Sequence, residues 1–185
     1  MKNIKLPHRL LLIYYGLQNE YAGKYTEVRR ALSEAVLHEA LFSEVIKIEK
    51  DKIVNTDLKS GGHSVLDDVS EAVAGKEGKR NFEFWKKELS KNDNIVNHVT
   101  DNLIENNLLE IKSKGGILSK KKKVFIISDT KLHLRIIEYL TANVSNNNYD
   151  QRDYLTIDLL KRHDIPGLDK VQFEIFSTDI EKPFK

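Results

Sequence analysis

The residues best equipped for chemistry in this sequence are scattered. Six histidines, His8, His38, His63, His98, His133 and His163, fall in six different predicted elements. No pair has the HExxH spacing that places two imidazoles on one helix face. Cysteine is absent, which excludes a disulfide framework and a thiolate metal site. No nucleophile–base pair, metal ligand set or cofactor site follows from spacing. The most suggestive couple is His38-Glu39, inside the most apolar helix. A buried carboxylate can serve as a perturbed general base. Buried charges are kept when they are satisfied, so Glu39 is instead expected to take hydrogen bonds from backbone or from a cation.

Other features point to binding. Ser60-Gly61-Gly62-His63-Ser64 precedes a helix start, where free amides could cradle an anion. It lacks the spacing and the Lys of a phosphate loop, and a capped turn explains it as well. Trp85 could stack on a ligand, but Phe82 and Leu89 flank it at helical spacing and suit a core position. The sharpest surface feature is a hairpin tip in which Lys112, Lys114 and Lys120, Lys121, Lys122 and Lys123 gather around Gly115-Gly116. Lysines in such a loop discourage edge-to-edge strand pairing. Close to an anionic bilayer each contributes about 1 kcal/mol. Ile117 and Leu118 lie within that tip, available to enter a membrane interface or to pack on a second subunit or protein partner.

These residues must be positioned by a mainly helical chain. Thr26 to about residue 44 reads as one long helix, with Thr26 as the cap and Glu27 on the positive end of the dipole. From Ala35 to Phe42 it is apolar nearly all round, the pattern of a helix with neighbours on several sides. Val45, Ile46 and Ile48, then Ile53-Val54 across Lys50-Asp51, form a hairpin over about 45–55. A short helix near His8 to Leu17 precedes this unit. Val65 to Ala74, Asn81 to Leu89 and Asn94 to Asn107 supply three helices after it. A second hairpin spans about 108–128. Asp129 is expected to cap a helix ending near Asn143, and amphipathic segments at about 152–162 and 168–178 complete the chain. The helix-then-hairpin unit therefore occurs twice within a single domain, 1–185.

Composition narrows the classes. Hydrophobic residues at 40% with 31% charged suit a globular protein. Thirty Lys and Arg against 28 Asp and Glu leave a formal charge of +2, too little for a general nucleic-acid binder. The longest apolar run, Leu10 to Tyr15, is far short of a membrane span and does not resemble a signal peptide. The expected location is cytoplasmic, with peripheral membrane attachment open.

In order and spacing, several segments resemble the Golgi phosphoprotein 3 family and its bacterial relatives. Leu6-Pro7-His8-Arg9-Leu10-Leu11-Leu12 is similar to the family's opening apolar helix. Leu37-His38-Glu39-Ala40-Leu41 with Ile46-Lys47-Ile48-Glu49 resembles its central helix and first hairpin. Gly62 to Asp68, Trp85 with Leu89, and Asn102 to Leu109 resemble three further segments. The resemblance implies a helical fold around one hydrophobic helix and a non-enzymatic, membrane-peripheral role. Family members are readers of phosphatidylinositol 4-phosphate and adaptors for the tails of Golgi enzymes. Carried onto this sequence, their lipid pocket falls at Lys24, Ser33, Asp93 and Val96. None of these matches the family's Trp and Arg residues, leaving Arg29 or Arg30 to hold a phosphate. The alternative is a winged-helix DNA-binding regulator, with the basic hairpin as wing. Against it, the helix from Asn94 to Asn107 carries Asp101 and Glu105 but no Arg or Lys, so nucleic acid is an unfavoured partner.

Overall fold

Leu10 to Tyr15, the longest apolar run of the sequence, is buried residue by residue in helix α1 (Leu6–Leu17). A computed structural model describes residues 4–18, 20–56, 58, 64–75, 80–91, 93–114 and 122–165 of the chain. A 3₁₀ turn (Ala22–Lys24) leads from α1 to α2 (Thr26–Phe42), and the hairpin β1 (Ile46–Glu49) and β2 (Lys52–Asn55) follows. Then come α3 (Ser64–Gly75), α4 (Phe82–Leu89) and α5 (Asn94–Glu105). A second hairpin, β3 (Leu109–Lys114) and β4 (Lys122–Ile127), precedes α6 (Leu132–Ser145) and α7 (Gln151–Arg162). The protein is mainly α, with two separate antiparallel hairpins among the described residues.

The expected central helix, α2, packs against α1, α3, α4, α5 and α7. Ala31, Leu32, Ala35, Val36, Leu37 and Ala40 are each at most 1% exposed. Alanine on its faces lets those neighbours come close, and each large aliphatic side chain buried there contributes about 1.5–3 kcal/mol. The centre is shared, however. Helix α1 touches α2, α5, α6, α7 and β4, so the core is built on two adjoining helices. At its C-terminal end Gly16 lies against the His133 ring of α6, which occupies the space a Cβ would need.

Both hairpins are launched by the same device. At the end of α2, Val45 N–H donates to Ala40 O (3.0 Å) and Glu44 N–H to Leu41 O (3.1 Å). At the end of α5, Leu108 N–H donates to Leu103 O (2.8 Å) and Asn107 N–H to Ile104 O (2.9 Å). This is a Schellman cap, with its C′ residue left-handed. Glu44 and Asn107 both have φ of 56°. The repeated helix-then-hairpin unit is thus a repeat of cap geometry. Lys50 and Asp51 form the expected two-residue turn, with φ of 48° and 62°.

Three local expectations need correction. Thr26 does not cap α2: Tyr25 is the cap position and makes no side-chain cap bond. The Thr26 hydroxyl instead accepts from Arg29 Nη2 (3.2 Å). Asp129 does not cap α6, which begins three residues later. Its side chain accepts from Lys131 N–H (3.1 Å) and closes the preceding turn. The second hairpin's strands also run further toward the tip than the apolar pattern suggests, reaching Lys114 and Lys122. Antiparallel pairing needs only backbone groups, which lysine supplies like any other residue but proline. Asn81, expected to open the fourth helix, is the cap of α4 and accepts from Phe84 N–H (2.9 Å). Residues 166–185, including the segment near 168–178, lie outside the described residues.

Candidate binding pocket

Most of the buried charge holds helices together. Glu39, 1% exposed, accepts from Leu6 N–H (3.1 Å) and from Nε and Nη2 on one edge of the Arg152 guanidinium (3.1 and 3.0 Å). It receives both kinds of donor the sequence called for, and nothing leaves it poised as a base. Glu34, one turn and a half earlier on α2, accepts from Arg162 Nη2 (2.9 Å) and lies 3.2 Å from His163 Nε2. Burial alone would raise its pKa, but the hydrogen bonds from His163 and Arg162 outweigh it and hold the carboxyl at about 2. Asp153 pairs with Arg9 (2.6 Å) and also accepts from Asn143 Nδ2 (2.8 Å). Helix α7 is therefore fastened to α1 and α2 by three ion pairs.

A different constellation has open space in front of it. A cavity of about 490 Å³ lies between the 3₁₀ turn, α5 and the second hairpin. Strand alternation explains the hairpin wall. Ile111 pairs with Phe125 and Ser113 with Lys123, and such directly opposed residues share a face. Ile111, Phe125 and Lys123 line the cavity. The α5 wall is a polar stripe at helical spacing: Asp93, Asn97 and Asp101 recur every fourth residue, with Thr100 beside them. Glu20 and Lys24 complete the rim and pair with each other (2.9 Å).

Tyr21 ties these walls together. Its ring lies 5.8 Å from that of Phe125, which stacks in turn on Tyr15 at 5.0 Å. Tyr15 Oη and Thr100 Oγ1 share a hydrogen bond (3.0 Å) that anchors the aromatic floor to α5. Tyr21 Oη donates to Asp93 Oδ2 (2.9 Å) and makes a second, shorter contact with the Asn97 side-chain amide. A phenol has one proton, so the Asn97 contact is satisfied when its amide presents NH₂ as donor. Burial, followed by the hydrogen bond and charge of Asp93, pushes the Tyr21 pKa far up, and the phenol stays protonated.

The residues singled out from the sequence divide. Lys24, Asp93 and Lys123, far apart in the chain, meet at this cavity. Ser33 and Val96 do not: both are fully buried, and Ser33 Oγ donates to Arg29 O (2.7 Å). Arg29 spends its Nη1 on Gly23 O (2.5 Å), bracing the 3₁₀ turn, and Arg30 is exposed on α2 away from the cavity. Lys123 belongs to β4 and not to the hairpin tip. Ile117, Leu118, Lys120 and Lys121 lie outside the described residues, as does the Lys122 side chain. The sequence did carry a signal for the missed wall: an i, i+4, i+8 polar stripe opposite the apolar stripe of Ile95, Val99 and Leu103.

Among the described residues no group of His, Asp and Glu could hold a metal, and no helix is long and apolar enough to cross a membrane. No protein-family model matches the chain, and no curated protein matches it. The cavity combines an aromatic floor with the carboxylates Glu20, Asp93 and Asp101 and the ammonium groups Lys24 and Lys123.

Proposed function

We propose that this is a non-enzymatic, membrane-peripheral lipid-binding protein that takes a polar headgroup between α5 and the second hairpin. The observation that supports this most is the cavity of about 490 Å³ at the foot of the lysine-rich hairpin, within the usual size range of small-ligand sites. Two of the four positions marked by the resemblance to the Golgi phosphoprotein 3 family, Lys24 and Asp93, line this cavity. Lys123, exposed at the cavity, would meet an anionic bilayer there, contributing about 1 kcal/mol at the surface. A DNA-binding role is disfavoured: α5 turns Ile95, Val99 and Leu103 into the core and presents Asp101 and Glu105 to solvent.

Co-sedimentation with neutral, anionic and phosphoinositide vesicles, beside a duplex-DNA shift, tests this. Binding to anionic vesicles should weaken sharply between 0.1 and 1 M salt, as the Debye length falls from about 10 to about 3 Å. Lys121→Glu/Lys122→Glu should weaken it without unfolding the chain. Less than tenfold preference for phosphatidylinositol 4-phosphate over other anionic lipids is expected, because the cavity contains no arginine fork. Duplex binding without vesicle binding would overturn the proposal.

A further inference from the structure

The charge around the cavity is not that of a phosphate pocket. Three carboxylates, Glu20, Asp93 and Asp101, face two ammonium groups, Lys24 and Lys123. Glu20 already neutralises Lys24. The remaining groups are separated by element, with Asp93 and Asp101 on α5 and Lys123 on the opposing β4. Asp93 commits one oxygen to Tyr21, and among the described residues Asp101 and Lys123 make no ion pair. An ordinary anion entering here would meet more negative than positive charge. A bare cation would leave Lys123 unanswered.

Resting on the lipid-binding reading, we infer that the cavity selects a zwitterionic phosphate–amine group of the phosphoethanolamine or phosphocholine class. The ammonium end lies against Asp101, the α5 carboxylate that Tyr21 does not hold, with the Tyr21 and Phe125 rings of the same cavity adding their quadrupoles. The phosphate end reaches Lys123. Such a ligand carries both charges in the order the two walls present them. The same chemistry occurs on a bilayer and on a free phosphoamine.

The test is amide chemical-shift titration of the full chain, monitoring Asn97, Asp101 and Phe125. Glycerophosphoethanolamine is compared with glycerol 3-phosphate and with ethanolamine, each of which carries half of the recognition. The full group should bind at least about fivefold more tightly than either half, the equivalent of about 1 kcal/mol. Asp101→Asn should abolish the advantage over glycerol 3-phosphate, and Lys123→Gln the advantage over ethanolamine. Both side chains are exposed, so the fold tolerates the changes. Equal affinity for glycerol 3-phosphate, or no shift at these amides, overturns the inference. Vesicles of phosphatidylglycerol alone and with phosphatidylethanolamine separate the two claims. If vesicles bind but the soluble group leaves the cavity amides unmoved, headgroup selection falls and the membrane role stands. If the soluble group binds and no vesicle does, the cavity stands as a free phosphoamine site and the membrane role falls.

Discussion

Arg9 and Asp153, 144 residues apart, form an ion pair of 2.6 Å in which both side chains are 1% exposed. The guanidinium also donates from Nε to Ile4 O (2.8 Å) and lies over the Tyr139 ring. Arg9→Ala should therefore cost about 3–5 kcal/mol, because it leaves a carboxylate buried without its cation. Arg9→Met/Asp153→Leu should cost clearly less than the sum of its two single changes. Denaturant melts of the four proteins check this, and strict additivity would refute the coupling.

Acid should loosen the grip of α7 on α2. Folding lowers the Glu34 pKa from 4.5 to about 2, so its stabilisation is complete above the unfolded value and is lost as pH falls from 4.5 through 2. The full effect is up to about 3 kcal/mol, reduced by solvent screening at the half-exposed Arg162. His38 acts in the same direction: burial lowers its pKa, partly opposed by Glu34, so protonation below its ordinary 6.5 also costs stability. Thermal melts across pH, with Glu34→Gln for comparison, should show the difference between the two proteins shrinking as pH drops below about 4.5. A difference that stays constant down to about pH 3 would contradict this assignment.

Leu37→Asp should unfold the protein. Leu37 is fully buried on α2, and losing its apolar side chain removes about 1.5–3 kcal/mol before the cost of burying a charge is added. Far-UV circular dichroism should lose its cooperative transition. A melt close to wild type would refute the placement of α2 at the centre.

What could be seen in the sequence was what neighbours in the chain decide. The Lys50-Asp51 turn, the helix start at Asn81 and the doubled helix-then-hairpin unit depend on residues within a few positions of one another. The satisfaction of Glu39 was also foreseeable, because a carboxylate in an all-apolar helix must be answered. Which groups answer it, Leu6 and Arg152, could not be read from a local pattern. Arg9 sat unnoticed in an apolar helix for the same reason, its partner being on the last described helix. The run from Leu10 to Tyr15 was too short for a membrane and was in fact the second centre of the core. The cavity was half visible: Lys24 and Asp93 emerged through a family resemblance, whereas the Asp93–Asn97–Asp101 stripe looked like an ordinary solvated helix face. Only the arrival of the second hairpin turns that face into a wall.

The distance in sequence between Arg9 and Asp153 also sets a timetable for synthesis. At about 5–20 residues per second, the guanidinium is made roughly 7–30 s before the carboxylate that receives it. Throughout that interval α1 carries a charge on a surface destined for the interior, without the carboxylate that will answer it. Arg9 of α1 therefore gains the carboxylate it pairs with only once α7 has been made.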